Sequence, residues 1–267
     1  MGAGGATIEA VQESTARRPV RELVTAEEWR VRIDLAACYR LVAHYGWDDL
    51  IFTHISARVP GPEDHFLINP YGMMFHEITA SSLVKIDLDG DIALPTDYVI
   101  NPAGFTIHSA VHGARRDVNC VIHLHTRDGV AVSTQKQGLL PLSQTAMAAL
   151  ASLAYHDYEG IALDLGERER LVRDLGQKNL MILRNHGTLA CGPTVADAFL
   201  RIYTLECACA IQVAALAGGR EPVVPPPEVQ QLVARQVMMG ATVERPAQLA
   251  WPGLLRLLDA KDPGYRA

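Results

Sequence analysis

The hexapeptide VIHLHT, Val121–Thr126, carries two histidines within a run of β-branched and apolar residues. Side chains alternate across a β-strand, so His123 and His125 share one face of the strand that this run predicts. Two imidazoles on one face, two residues apart, can converge on one metal ion. Two surface histidines on an edge strand fit the same pattern, and the motif alone leaves both interpretations open.

A second motif of this kind is MILRNHG, Met181–Gly187, in which an apolar strand runs into a polar residue, a histidine and a glycine. We expect Gly187 to permit a tight turn just past His186. A third imidazole at this point would complete a three-histidine site with open coordination positions, which is typical of a catalytic metal rather than a structural one. An Asn-His-Gly sequence alone is more often only a turn.

Strand and helix patterns alternate along the rest of the chain. Thr25 and Glu28 form a capping box that begins a helix, and Gly46 ends it. Strands are predicted near 51–59, 66–68, 84–86, 119–125 and 180–183, and further helices near 104–115, 127–136, 144–155, 165–176, 194–218 and 228–239. The early strands resemble hairpins. The pattern therefore predicts an α/β domain with a central mixed, mainly antiparallel sheet and helices on both sides.

Composition narrows the classes of partner. The 267 residues carry a net charge of −6, which gives no indication of a nucleic-acid or anionic-membrane partner. We find no apolar run of the roughly 18 residues that a membrane helix needs, and no signal peptide, so we expect a cytoplasmic protein. The five cysteines are scattered, and we interpret them as small core residues.

The chain shows no internal repeat. Residues 1–23 are glycine-rich and polar and are expected to be disordered. Residues 24–220 are expected to form the metal-binding domain. The three prolines at 225–227 mark the start of a C-terminal arm, residues 221–267, whose tail after the last helix has little pattern.

Taken together, these motifs resemble the class II aldolase/adducin family, and the resemblance extends from about Trp29 to about Gly218. Besides the two histidine motifs, it rests on LINPYG (67–72), HEITASSLVKID (76–87), and two stretches closest to the adducin-like bacterial branch, THISAR (53–58) and NPAGF (101–105). The resemblance implies a three-layer α/β/α fold with a nine-stranded sheet and a homotetramer with sites at subunit interfaces. It also implies one divalent metal per chain, held by His123, His125 and His186.

The sequence also departs from the family pattern. Family aldolases carry a glutamate upstream of the His-x-His pair as metal ligand and acid/base, and the matching position here is Gly104. The tyrosine that acts as acid in sugar-phosphate aldolases has no counterpart in residues 142–145. The phosphate cradle is replaced by Thr53-His54, Tyr71-Gly72 and Pro102-Ala103, so a phosphate would lose several hydrogen bonds. A sugar phosphate is therefore not the expected substrate.

Other residues are candidates for the remaining site roles. His54 falls on the strand face that carries the old phosphate pocket, where it could bind a carboxylate or move a proton, although a structural role fits equally well. Glu77 could supply a catalytic carboxylate, or it could cap a loop. Residues expected at the substrate are Asn69, Gly72, Gly104 and His108.

Three functions fit these observations. The first is metal-dependent carbon–carbon bond cleavage, by retro-aldol reaction or decarboxylation, of a non-phosphorylated carbonyl or 2-oxo acid substrate. The second is a non-haem Fe(II)/O2 oxygenase acting on an aryl 2-oxo or 2-hydroxy acid, similar to the aldolase-like oxygenases of aminocoumarin biosynthesis. The third is a non-enzymatic, adducin-like scaffold. The metal is accordingly Zn2+ or Fe2+, with Mn2+ possible.

Overall fold

The computed structural model describes residues 18–61, 64–160, 166–238 and 244–267. Its strands form one seven-stranded sheet in the order β3-β2-β1-β4-β7-β6-β5. The strands are β1 (His54–Arg58), β2 (Phe66–Ile68), β3 (Val84–Ile86), β4 (Cys120–Leu124), β5 (Leu153–His156), β6 (Leu180–Leu183) and β7 (Gly187–Gly192). Only β5 and β6 pair in parallel. The mixed, mainly antiparallel sheet is thus confirmed, while nine strands is wrong for the described residues.

Helices connect these strands and cover the sheet. They are α1 (Val20–Leu23), α2 (Ala26–His44), α3 (Pro102–Ala114), α4 (Arg127–Ser133), α5 (Gln144–Leu150), α6 (Glu167–Leu175), α7 (Val195–Leu216), α8 (Pro227–Met238) and α9 (Glu244–Lys261). Two short 3-10 helices, Phe75–Glu77 and Pro263–Arg266, complete the set in the described ranges.

Apolar residues on the two faces of the sheet form separate cores. On one face, α2 and α7 pack on buried strand residues such as Ile55 and Ile122. On the other face, α3 and α6 cover Val121 and Met181, which are fully buried. Alternation along each strand sends neighbouring side chains to opposite cores, and this produces the predicted three layers.

Helix α2 begins where the sequence places it. The Thr25 hydroxyl accepts a hydrogen bond from the Glu28 backbone N–H at 3.1 Å. The Glu28 carboxylate does not complete the capping box, because it binds Arg32 at 2.9 Å and Lys85 at 3.0 Å. Burial of Arg32 explains this choice, since a fully buried guanidinium needs a charged partner.

Three elements differ from the prediction. The helix predicted over 144–155 ends at Leu150, because Leu153–His156 pairs with β6 as strand β5. Strand β7 was not predicted. The C-terminal tail is not patternless: it forms α9, whose Trp251 indole donates a hydrogen bond to Asp34 of α2 at 3.0 Å, and Tyr265 beyond it is fully buried.

Two further expectations concern the N-terminal segment and the presence of a membrane-spanning helix. Residues 1–17 of the segment expected to be disordered lie outside the described residues, whereas Val20–Leu23 is the short helix α1. Helix α7 is long and apolar enough to span a membrane, although Asp197, Arg201 and Glu206 interrupt it and no unbroken apolar run of 18 residues occurs there. This is weak evidence for a membrane, because α7 packs on β4 and β7 as the core helix of the domain.

Candidate metal centre

Three imidazoles meet at one end of the sheet, where β4 and β6 finish and β7 begins. His123 lies on β4, His125 lies just past its end, and His186 lies in the turn between β6 and β7. One ring nitrogen from each lies within 4.8 Å of the others, and the Nε2 atoms of His123 and His125 are 3.0 Å apart. The structure therefore brings together the three residues predicted as metal ligands.

Two of the rings are held by their other nitrogen. The Nδ1 atom of His123 lies 3.0 Å from the Thr188 carbonyl oxygen, which can only accept a hydrogen bond. The Nδ1 atom of His125 lies 3.1 Å from a carboxylate oxygen of Asp49. Donation from Nδ1 leaves the lone pair of Nε2 directed at the centre of the cluster. This is the arrangement that usually orients metal-binding histidines.

The third imidazole is placed by an unusual turn. Asn185 adopts φ +55°, a conformation that asparagine tolerates better than most residues, and the His186 N–H donates to the Leu183 carbonyl at 3.1 Å. Gly187, which was expected to permit a tight turn, does not have a positive φ. It is required because a Cβ there would overlap the Leu124 carbonyl oxygen on the neighbouring strand.

Burial keeps His123 and His186 uncharged, because it lowers the pKa of both imidazoles. Desolvation, followed by the neighbouring imidazoles His186 and His125, lowers the pKa of His123 well below its ordinary value. Desolvation, followed by the imidazoles of His125 and His156, lowers the pKa of His186 to about 4. Neutral imidazole is the form that binds a metal ion.

The donor set fits a divalent metal. Ligands in a tetrahedral zinc site, with Zn–N bonds of about 2.0–2.1 Å, lie about 3.3 Å from one another. The 3.0 Å between the two Nε2 atoms is close to that separation. Three imidazole nitrogens that leave further positions open suit Zn2+ or Fe2+ in a catalytic rather than a structural site.

His54 lies directly beside this cluster. It pairs in register with His123 across the antiparallel strands β1 and β4, so both rings lie on the same sheet face. The ring is 3% exposed, and neither of its nitrogens has a hydrogen-bond partner among the described residues. Burial, and then His125, lowers its pKa to about 3.

The ring of His54 occupies the space above Gly104. A Cβ placed on Gly104 would lie 2.5 Å from Cγ of His54. A side chain at position 104 and an imidazole at position 54 therefore exclude one another. Gly104, where the family pattern led us to expect a glutamate, thus leaves the space that the His54 ring fills.

A buried polar column continues from His54 along α3. The Ser56 hydroxyl lies 2.6 Å from Nδ1 of His108 and 2.8 Å from Nε2 of His112. The His108 ring centroid is 6.1 Å from that of His54, and its Nε2 atom has no partner within the described ranges. His108, which was expected at the substrate, thus lies behind His54.

The other sequence candidates lie apart from the cluster. Asn69 follows β2 at the same end of the sheet, but its Oδ1 accepts from the Tyr39 hydroxyl at 2.9 Å on the α2 face. Gly72 is in an exposed turn with φ +102°. The exposed Glu77 caps its own 3-10 helix by accepting from the Met74 N–H at 2.8 Å. The structure gives Glu77 this local role and brings it to none of the three histidines.

Sequence reasoning missed several residues that shape the site. Asp49 contacts His125, the Thr188 carbonyl contacts His123, and Glu206 binds the hydroxyls of Thr126 and Thr188. Tyr158 is 53% exposed, and its ring centroid lies 6.3 Å from that of His186. The position of Thr126 next to His125 was the one available signal, since the other contacts are created by pairing of distant strands and helices.

Comparison with known proteins agrees with this geometry. The family model for the class II aldolase and adducin N-terminal domain matches residues 33–213. The crystal structure of an aldolase II superfamily protein from Pseudomonas syringae has a TM-score of 0.88 and 54% identity, and the match covers 93% of this chain and all of that one. The structure of L-fuculose 1-phosphate aldolase from Glaciozyma antarctica has a TM-score of 0.79 and 26% identity, over 91% and 94% of the two chains.

A relative without an enzyme name is also similar. Mouse alpha-adducin is 48% identical over 195 residues, which are 72% of this chain but only 26% of the adducin. The matched part corresponds to the domain that carries the histidine cluster. The chain belongs to the class II aldolase and adducin family, whose enzymes are generally metal-dependent lyases.

Proposed function

We propose that this chain is a metal-dependent lyase that cleaves a carbon–carbon bond in a non-phosphorylated carbonyl or 2-oxo acid substrate, by retro-aldol reaction or decarboxylation. The observation that carries the proposal is the cluster of His123, His125 and His186, in which two rings are oriented by hydrogen bonds from their outer nitrogens. A divalent metal held there supplies a Lewis acid that polarises a substrate oxygen.

His54 is the proposed catalytic neighbour. A neutral imidazole with both nitrogens unpartnered among the described residues can donate one hydrogen bond to a substrate oxygen and accept another. His108 lies behind it, where its Nδ1 contact with Ser56 fixes the ring. Gly104 leaves the space into which the His54 ring fits. Glu77, Asn69 and Gly72 stay weaker candidates, because each has a local role away from the cluster.

The same chemistry argues against a phosphorylated substrate. A phosphate dianion is bound most strongly by charged donors, and burial holds His54 in its uncharged form. The similarity to an L-fuculose 1-phosphate aldolase therefore extends to the fold, while the proposed substrate lacks the phosphate. A sugar phosphate turned over at an ordinary enzyme rate would contradict this part of the proposal.

A second candidate function is a non-haem Fe(II) oxygenase of an aryl 2-oxo or 2-hydroxy acid. It is favoured by a donor set of three imidazoles that includes no carboxylate among the described residues. An oxygenase needs several open positions at its iron, and a site without the family glutamate leaves more of them. The adducin relative keeps a scaffold without activity as the third possibility.

The first experiment measures metal content. Wild-type protein should contain about one divalent metal ion per chain by elemental analysis, and His123→Ala, His125→Ala and His186→Ala should each lose most of it. His76→Ala is the matched control, because His76 is an exposed histidine in a 3-10 helix away from the cluster. A metal-free wild type, or full occupancy in all three variants, would refute the site.

The second experiment separates the functions. Apo-protein is loaded with Zn2+, Mn2+ or Fe2+ and offered 2-oxo, 2-hydroxy and 3-oxo acids, in air and under nitrogen. Cleavage under nitrogen with a redox-inert metal supports the lyase. Turnover only with iron and air supports the oxygenase, and no turnover under any condition supports the scaffold.

We further propose a cytoplasmic homotetramer with sites at subunit interfaces and no nucleic-acid or membrane partner.

A further inference from the structure

Glu206, in the middle of α7, is a buried carboxyl group that the chemistry above does not use. It is 3% exposed, and each of its two oxygens accepts a hydrogen bond from a threonine hydroxyl, one from Thr126 and one from Thr188. Burial raises its pKa to about 7. A buried carboxyl group is costly to desolvate, so its retention at this position needs an explanation.

Both threonines belong to the segments that carry the histidines. Thr126 follows His125 directly, and its hydroxyl also accepts the Gly129 N–H at 2.9 Å as the N-cap of α4. Thr188 accepts the Nδ1 contact of His123 through its carbonyl oxygen, 3.0 Å away. One carboxyl group therefore joins the residue after one predicted ligand to the residue that orients another.

The clamp formed by Glu206, Thr126 and Thr188 is tightly packed. A Cβ placed on Gly129 would lie 2.7 Å from the Thr126 hydroxyl oxygen and 3.2 Å from a Glu206 carboxyl oxygen. The clamp lies on the α7 face of the sheet, whereas His123 faces the α3 side with its register partner Leu189. It can therefore set the spacing of the strand ends without contacting a metal or a substrate.

We propose that Glu206 is a positioning residue that sets the geometry of the histidine cluster, and with it the affinity for a divalent metal, through its hydrogen bonds to Thr126 and Thr188. The inference rests on the metal site proposed above. Partners at this distance from a metal typically change its affinity by roughly 10–100-fold when they are removed. A clamp with a purely structural role would change stability and leave metal affinity unaltered.

The test adds Co2+ to the apo-form of the full chain. Calorimetry measures the Co2+ affinity, and visible absorption gives the spectrum of the bound Co2+. Thr188→Val removes one hydroxyl at nearly constant shape, Thr188→Ser restores it, and Glu206→Gln keeps the shape of the acid without its charge. We expect Thr188→Val and Glu206→Gln to weaken Co2+ binding at least tenfold and to shift the spectrum. Thr188→Ser should stay within about threefold of wild type, a margin well below the effect expected of the other two.

Gln212→Leu is the matched control. Gln212 is a buried polar residue on the same helix, but it binds Leu140, Gln135 and Gly138 rather than the histidine segments. It should lose stability in thermal unfolding and keep wild-type Co2+ affinity. If both clamp variants fold and keep wild-type Co2+ affinity, or if Gln212→Leu weakens Co2+ binding equally, the positioning role of Glu206 is refuted. The proposed metal site is not contradicted by these outcomes. A wild type that binds no Co2+ overturns the metal site and this inference together.

Discussion

Gly104 illustrates how one absent side chain decides what a site contains. In sequence it marks only the loss of the family carboxylate, which leaves open what replaced it. In the structure the space is filled by the ring of His54 from the neighbouring strand. Positions 54 and 104, fifty residues apart, are therefore coupled by packing. A side chain at position 104 does not fit while His54 keeps its place.

Gly104→Ala should be destabilising, because its Cβ would lie 2.5 Å from the His54 ring, which is fixed in the core. We expect a loss of about 1–3 kcal/mol in the free energy of unfolding, as overpacking of a core usually costs. Gly113→Ala on the same helix is the control, since its Cβ meets nothing within 4 Å and alanine favours helix. Urea unfolding measures both. Equal stability of the two variants would show that the His54 ring moves aside at no cost. Adding His54→Ala to Gly104→Ala should restore the lost free energy of unfolding.

Glu206 should make the free energy of unfolding of the wild type fall as pH rises. Glu206→Gln should lose this dependence. Its pKa is raised from 4.5 to about 7 by burial, with Asp128 as a further cause and the two threonine hydrogen bonds opposing. The folded state therefore holds a proton that the unfolded state releases, so the stabilisation is fully present below pH 4.5 and is lost as pH rises through 7. The stability difference between wild type and Glu206→Gln should fall by up to about 3 kcal/mol between pH 5 and 8. A difference that stays constant in urea unfolding at both pH values would contradict this.

Elements that carry their own pattern were predicted well from the sequence. Phe66–Ile68, Val84–Ile86 and Leu180–Leu183 have the predicted bounds, and β4 lies within its predicted range. Each is a short apolar run limited by turn residues, so its period is visible locally. The two histidine motifs were visible for the same reason, because His123 lies on such a strand, His125 just past its end, and His186 follows another. Their joint role as metal ligands was implied by the family resemblance.

Elements defined by pairing were not predictable in this way. Strand β7, GTLACG, contains glycine at both ends and shows little alternation, and it forms because β4 and β6 flank it on both sides. Leu153–His156 continues a helical pattern in sequence but is held by parallel pairing with β6. The contacts of Asp49, Thr188 and Glu206 follow from these pairings, so the surroundings of the histidines could not be predicted with the histidines themselves.

Tyr39 connects helix α2 to the strands that lead to the site. Its hydroxyl oxygen accepts the Ile55 N–H at 2.8 Å and the Asn69 N–H at 3.1 Å, and its proton can reach the Ile55 carbonyl or Asn69 Oδ1. Tyr39→Phe leaves these buried backbone groups unpaired, and we expect it to cost about 3 kcal/mol in the free energy of unfolding. Tyr98→Phe, at a 41% exposed residue, is the control and should cost under about 0.5 kcal/mol. Equal midpoints for the two in urea unfolding would refute the role of the hydroxyl.

At the scale of the whole molecule, the two faces of the sheet carry different kinds of residue. The α3 side carries the histidine triad, His54 and the polar column behind it. The α7 side carries the larger apolar core and, at its edge, the carboxyl clamp of Glu206. A sheet whose histidine-bearing face is separate from its larger apolar core can vary its site without losing its fold, which is consistent with a family that includes both aldolases and adducins.

The end of the sheet that bears the histidines also exposes apolar side chains. Leu50 is 58% exposed, Phe52 46% and Val99 62%, and Leu50 holds the unfavourable φ of +49° beside Asp49, which contacts His125. Strain and exposed apolar area are both unfavourable in an isolated chain, and such patches commonly mark interaction sites. We therefore expect a second copy to cover this rim in the proposed homotetramer.

The double variant Phe52→Ser/Val99→Ser should shift the assembly toward smaller species, because it removes two apolar anchors from the proposed contact. Light scattering at micromolar concentration after size-exclusion chromatography should give four times the chain mass for the wild type and a lower mass for the variant. Leu249→Ser is the matched control, since Leu249 is 73% exposed on α9 and its loss should leave the tetramer intact. A monomeric wild type would refute the assembly itself. A tetrameric double variant would place the interface elsewhere.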